Sequence, residues 1–403
     1  MKNIPFLTPD MSLLEAEGVK KAILSGWITT GPKTKEFEQI ISKYVGSEKT
    51  VCLNSATAAL ELTLRVLGVG PEDEVIVPAY TYTASCSVIC HVGATPVMID
   101  CAKDSFEMDY DQLEDLITEK TKVIIPVDIA GVMCDYDRIF SIVEKKKSLF
   151  KAKNELQKLY GRIIVMADCA HGFGASRHGK MAGSVADFTC YSFHAVKNLT
   201  TAEGGAATWK HKDGLDSENL YKQYQLLSLH GQNKDAFHKN QLGSWEYDII
   251  SPAYKCNMTD IMAAIGIAQF ERYPEMMKRR YEMVKKYDEG LKDLPVKVLN
   301  HMDDEHTSSC HLYLVRVNGV NEQKRNEIIV KMAEKGVACN VHYKPLPMMT
   351  AYKNLGFDIK NYPNAYAQYE NEITFPLYTK LTDEDIDYIL SSFKESLKEC
   401  GCL

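Results

Sequence analysis

The chain has 403 residues, enough for two or three domains, with 45% apolar and 25% charged residues, the balance of a soluble globular protein. Its 54 acidic and 47 basic residues leave a net charge of −7, which argues against a nucleic-acid binder. No apolar run approaches the ~18 residues of a membrane span, and the 12 scattered cysteines, with no apolar leader at the start, read as free thiols of a cytoplasmic protein.

In chain order, Asn54 and Ser55 are small polar residues suited to opening a helix, and helical spacing follows over Ala56–Leu67. Continuous β-rich runs at Glu74–Pro78, Pro96–Asp100, Lys122–Val127, Ile163–Asp168, Phe188–Phe193 and Ala206–Trp209 read as strands buried on both faces. Helical stretches such as Tyr110–Ile117 lie between them. This alternation predicts an α/β fold, a mostly parallel sheet with helices on both faces, whose ligand sites lie at the carboxyl ends of the strands. The Lys-rich segment Ile142–Leu159 predicts one long exposed helix. After Asn257 the pattern changes: Met258–Leu291 reads as one long helix, or two broken at Pro274. A smaller α+β unit follows, with strands near Leu312–Val317 and Ala338–Tyr343 and helices over Glu322–Lys335 and Asp383–Cys400.

Three features carry chemistry. Ser192 to Asn198 follow a strand and place Lys197 at its end, where partial desolvation turns an amine into a nucleophile toward aldehydes. Asp168 ends the preceding strand, where a carboxylate can face a pyridine nitrogen. The helix start at Ser55–Ala59 offers unpaired amides to a phosphate. Taken singly, these are a surface lysine and two helix caps. Together, in the chain order helix start, carboxylate, lysine, they match the needs of pyridoxal 5′-phosphate (PLP).

The same residues carry a family resemblance. The runs Ser25–Pro32, Asp73–Pro78, Asp168–His171, Ser192–Asn198, Ala202–Gly205 and Met258–Ala264 resemble the DegT/DnrJ/EryC1/StrS family of PLP-dependent sugar aminotransferases, from about Pro5 to the last helix. The resemblance implies the PLP-dependent transferase fold type I. Residues 1–250 would form a large domain with a mostly parallel seven-stranded sheet, and residues 251–403 a small C-terminal α+β domain including the long connecting helix.

It also implies roles. Lys197 is the Schiff-base lysine and proton shuttle, and Asp168 pairs with the ring nitrogen. His171 lies near the ring 3′-oxygen, Tyr82 stacks on the ring, and Ala56, Thr57 and Ser192 hold the phosphate. Lys255 or Asn257 reaches the phosphate from a neighbouring subunit of a homodimer with shared active sites. His342 faces the sugar, with Thr30 and Lys33 as further substrate contacts. The implied reaction passes the amino group of L-glutamate, through the pyridoxamine form, to a nucleotide-linked keto-sugar, leaving 2-oxoglutarate. Family members of the UDP-4-amino-4-deoxy-L-arabinose type share the Gly26–Lys33 and Ser192–Asn198 runs; Tyr82 and Cys256 depart from them, and Ala167 replaces a Glu common among relatives. The alternative substrates are UDP-4-keto-6-deoxy-HexNAc and dTDP- or GDP-4-keto-6-deoxyhexose.

Other readings fit less well. Sugar dehydratases of this fold carry His in place of Lys197. A transcriptional regulator needs an added DNA-binding module or a damaged site. A zinc site at Cys169, His171, Cys190 and His194 lacks a recognised ligand spacing, so no metal is expected.

Overall fold

The computed structural model describes residues 2–233 and 246–403. Its strands are β1 (Lys49–Leu53), β2 (Glu74–Pro78), β3 (Thr95–Ile99), β4 (Thr121–Ile124), β5 (Ile164–Asp168), β6 (Ser176–Arg177), β7 (Lys180–Met181), β8 (Phe188–Ser192), β9 (Gly205–Trp209), β10 (Val296–Val298), β11 (His306–Thr307), β12 (Tyr313–Val317) and β13 (Glu372–Phe375). Seven of them form the central sheet in the order β1-β9-β8-β5-β4-β2-β3. Only β9 runs against its neighbours, β1 and β8; the other pairings are parallel.

The sheet is covered on both faces, which is why its strands read as unbroken apolar runs. Val75, Val77, Ile164 and Met166 point into one core with Leu60 and Leu64 of α3 (Ala56–Val66) and Val88 and Ile89 of α4 (Thr83–His91). The alternate residues Ile76, Val165 and Ala167 point into a second core with Phe37 and Ile41 of α2 (Pro32–Val45), which follows α1 (Leu13–Leu24). A third core joins β12 and β13 to the helix Asp383–Glu399 through Val315, Ile373 and Phe393. Ile4 belongs to this third core; its amide donates to Gly336 O (2.8 Å) and its carbonyl accepts from Ala338 N (3.0 Å).

The helix Asp260–Leu291 runs unbroken through Pro274 and links the cores: Ala263 and Tyr273 pack in the second, Met283 and Tyr287 in the third. Two expectations are corrected. The Lys-rich segment is not one helix. A helix at Tyr136–Lys145, a 3-10 turn at Lys147–Leu149 and a second helix at Glu155–Tyr160 replace it. Asn154 caps the second helix through Gln157 N (2.8 Å), and both side chains also donate to Leu67 O, at 2.9 and 2.8 Å. Nor is Ala338–Tyr343 a strand: a single bridge, Asn340 to Thr374, joins it to β13.

β1, unforeseen in the sequence, is one edge of the sheet. The buried Glu38 lies along it: Oε1 accepts the Cys52 amide (2.8 Å) and Oε2 accepts the Tyr221 hydroxyl (2.6 Å). Among the described residues no helix is long and apolar enough to cross a membrane.

Candidate active site

β5 delivers Asp168 at its last residue, and the carboxyl is buried. Oδ2 accepts the Ser85 hydroxyl at 2.6 Å and Oδ1 accepts the Ala170 amide at 3.1 Å. Burial pushes this carboxyl up, while Ser85, the Ala170 amide and the charge of Lys197 pull it back. Ser85 reaches it from the first turn of α4, the helix that opens at Tyr82.

Lys197 stands in the loop between β8 and β9. Phe193 N–H donates to Gly204 O (2.8 Å), Thr201 N–H to Phe193 O (2.9 Å) and Lys197 N–H to His194 O (2.9 Å), which pins the loop at both ends. The amine is partly buried and has no hydrogen-bond partner among the described residues. Burial lowers its pKa to about 8, against the pull of Asp168. A useful fraction is therefore neutral and nucleophilic near pH 7.

The opening of α3 lies beside the same strands. Ser55 caps it by accepting Ala58 N–H (3.1 Å), leaving the first-turn amides of Ala56 and Thr57, which the helix itself cannot satisfy, for a ligand. Gly205 pairs with both Ser192 and Leu53. A Cβ there would sit 2.3 Å from Ser55 C and 2.4 Å from Ala56 N, so only glycine lets the helix start approach the end of β8. Ser192, buried, adds a hydroxyl that among the described residues accepts only a long contact from His194 N–H (3.4 Å).

His171 is buried two residues beyond Cys169. Its Nδ1 accepts Ala130 N–H (3.2 Å), its Nε2 lies 3.0 Å from the Tyr343 hydroxyl, and its ring is 4.5 Å from that of His311. Burial, then the charges of Lys197 and His342, hold it well below the ordinary histidine range, so it is neutral. His342 donates its amide to Glu372 Oε2 (2.9 Å) and shares a 3.0 Å contact from Nδ1 to the Thr374 hydroxyl; burial and Lys197 push it down to about 4. Tyr82 is 60% exposed with its ring 5.8 Å from that of Tyr343, an open apolar face above the crevice.

The remaining expected residues form a second group. Asn54 N–H donates to Cys256 O (2.8 Å) and Leu53 pairs with Asn257, so the Lys255–Asn257 segment borders the α3 opening of its own chain. The Lys255 ammonium bonds Asn257 Oδ1, and Asn257 Nδ2 donates to the Thr30 hydroxyl (2.6 Å), which donates to Met258 O (2.6 Å). The Lys33 ammonium pairs with Glu36 (2.7 Å) and its amide donates to Asp260 (3.0 Å).

Three neighbours of the site went unread in the sequence. Ser85 sits three residues after Tyr82, and Tyr343 directly follows His342, so both lay within reach of runs already singled out. His311, 3.0 Å from Asn198 Oδ1, carries no local signal. The four residues of the zinc reading do not converge. The Cys169 thiol faces Asp128, Cys190 Sγ lies 3.7 Å from the Thr63 hydroxyl, and His194 lies 3.6 Å from Glu203. Burial pushes both thiols up, away from the thiolate that a metal requires.

A desolvated amine, a carboxylate one strand away, a glycine-permitted approach to free helix amides and an apolar face fit pyridoxal phosphate. Fold and site together define a PLP-dependent transferase of fold type I. The chain belongs to the DegT/DnrJ/EryC1/StrS aminotransferase family, whose pattern matches residues 9–394. It is similar to Spr1654 of Streptococcus pneumoniae, described as a sugar aminotransferase and solved in PMP and PLP forms. The PMP form is 60% identical, with a TM-score of 0.97, covering 99% of this chain and 100% of that one. It is 33% identical to the spore coat polysaccharide biosynthesis protein SpsC of Bacillus subtilis over 98% of this chain and 97% of SpsC. Helicobacter pylori PseC, an aminotransferase involved in pseudoaminic acid biosynthesis, is 25% identical with a TM-score of 0.85, covering 99% of this chain and 100% of that one. The protein is a PLP-dependent sugar aminotransferase.

Proposed function

We propose that the enzyme transfers the amino group of L-glutamate to the keto carbon, C4, of a nucleotide-linked keto-sugar, in amino-sugar synthesis for a cell-surface polysaccharide. The observation that carries this reading is the partly buried Lys197 amine, with a pKa of about 8, set against Asp168. PLP supplies the electron sink that lets a proton leave the carbon bearing the amine. The chain supplies the rest. Lys197 carries that proton between carbons as general base and then acid. Asp168, steadied by Ser85, holds a negative charge against the ring nitrogen. Ala56, Thr57 and Ser192 seat the phosphate, Tyr82 covers the ring, His171 stands at its oxygen, and His342, Thr30 and Lys33 meet the sugar nucleotide.

UDP-4-keto-pentose of the L-arabinose series is the favoured acceptor, supported by the Gly26–Lys33 and Ser192–Asn198 runs. UDP-4-keto-6-deoxy-HexNAc is the second reading, favoured by the likeness to a pseudoaminic acid enzyme; dTDP- or GDP-4-keto-6-deoxyhexose is the third. The enzyme works in the cytoplasm as a homodimer with shared active sites, and Lys255 or Asn257, which border the α3 opening, serve a phosphate there. The exposed Leu13, Leu14, Ile23, Leu24 and Ile28 supply an apolar surface suited to the dimer contact. A glutamate-coupled assay over a panel of nucleotide keto-sugars tests the reading. An amino-sugar product identifies the acceptor; turnover of another keto acceptor with none of the panel aminated removes the sugar assignment.

A further inference from the structure

The Lys197 amine has no hydrogen-bond partner among the described residues, and a flexible four-carbon stem carries it. Where the amine can reach therefore depends on how firmly the backbone beneath it is held. The hydrogen bonds at Phe193, Lys197 and Thr201 close the β8–β9 loop on itself and tie it to nothing outside.

The next residue supplies an outside anchor. The buried Asn198 donates from Nδ2 to Ser309 O at 2.6 Å, and its Oδ1 lies 3.0 Å from His311 Nδ1. An amide oxygen can only accept, so His311 donates from Nδ1. Asn198 thus grips the strap Ser309–His311 at two points. The strap is itself held: Ser309 N–H donates to Gly131 O (3.1 Å), His311 N–H to Ala130 O (3.0 Å), and Arg280 to Cys310 O (2.9 Å). A Cβ at Gly131 would collide with the Ser309 hydroxyl and stand 2.9 Å from His171 O, so the strap seats closely only because glycine is there. Just beyond it the chain enters β12, whose partner β13 carries Glu372 and Thr374, the residues that hold His342.

We propose that Asn198 is a positioning residue: by tying the β8–β9 loop to the Ser309–His311 strap at two points, it fixes the place from which Lys197 delivers its amine to the cofactor aldehyde. In that step the amine nitrogen bonds the aldehyde carbon, and the aldehyde oxygen leaves as water with the two hydrogens of the amine. Asn198 acts through Lys197 and not on the cofactor. This rests on the reading of Lys197 as the Schiff-base lysine.

The test mixes apoprotein with PLP over a range of concentrations and follows the covalent bond by its visible band and by borohydride fixation. The half-saturating concentration reports the seating of PLP before the bond forms; the plateau rate reports the reach of the amine. In Asn198→Ala the plateau rate is expected to fall about 10- to 100-fold, the cost of roughly an ångström of misplacement, with half-saturation within about twofold of wild type. A merely structural residue would lower the amplitude, through loss of folded protein, and leave the plateau rate of the remainder. Asn198→Asp keeps the shape and the His311 bond but sets an acceptor against Ser309 O. Its plateau rate is expected to fall at about pH 8 and to approach that of wild type at about pH 5.5, where the buried carboxyl holds its proton and donates again. Plateau rates equal to wild type in both variants, or changes confined to half-saturation or amplitude, overturn the proposal. Borohydride fixation that survives in Lys197→Ala would instead overturn the reading of the lysine, an outcome distinct from failure of Asn198 alone.

Discussion

The Ser85 hydroxyl donates to Oδ2 of Asp168 at 2.6 Å, across 83 residues of chain. A hydrogen bond to an ionised group contributes about 1.5–3 kcal/mol. Ser85→Ala is expected to weaken PLP binding by roughly tenfold or more, because the buried carboxyl loses a contact that favours its charged form. Titrating the apoprotein with PLP, with absorbance as readout, checks this; an unchanged affinity would show that the Ala170 amide suffices.

Lys197→Ala is expected to lower turnover by about 10²–10⁴-fold, the usual contribution of a general acid–base group, and to abolish the borohydride-fixable bond between protein and cofactor. Mass spectrometry after reduction reads the second effect independently of activity.

The lowered pKa of Lys197 sets a pH dependence. Only the neutral amine attacks an aldehyde, and burial brings its pKa down to about 8. The rate of PLP capture by the apoprotein is therefore expected to rise about tenfold per pH unit below 8 and to level off above it. A rate that keeps climbing toward pH 10 would mean an amine of ordinary basicity.

Glu372 gives a stability test. It is buried beneath His342 and Thr374, and burial raises it from 4.5 to about 8. A carboxyl raised in the folded state keeps its proton there while the unfolded chain loses its own, so stability falls as pH climbs from about 4.5 to 8. Glu372→Gln removes this term. Its melting temperature relative to wild type is expected to be higher at pH 9 than at pH 5, by the equivalent of about 1–3 kcal/mol. A constant difference across that range would refute it.

At Gly205, an added methyl meets backbone atoms of Ser55 and Ala56 at 2.3–2.4 Å, which no rotamer can relieve. Gly205→Ala is expected to cost about 1–3 kcal/mol in stability and to loosen PLP further by tilting the helix start. Melting of the apoprotein and PLP titration separate the two effects.

The sequence made the centre of this site legible because Asp168 and Lys197 sit where parallel strands end, and buried strands leave an unbroken apolar trace. The strand Glu74–Pro78 matches its expected span, and the helix opening at Ala56 was marked by its cap. What was not legible came from afar. Tyr343 meets His171 across 172 residues, a pairing set by the docking of one core against another and not by any local period. The Lys-rich segment misled because its helical spacing hid Asn154, whose cap begins a new helix and whose side chain holds Leu67. Ala338–Tyr343 has strand-like composition, yet among the described residues a single bridge, Asn340 to Thr374, is all the ladder it forms.

Glu38 has a consequence beyond the cofactor. The outer side of an edge strand is a template on which another molecule can add its own strand. At β1 one rung of that template, the Cys52 amide, is already occupied by Glu38, and Tyr221 locks the carboxyl in place. A strand arriving from a second copy would have to displace a buried acid before it could register. The sheet is thereby guarded against growing into an aggregate from that side.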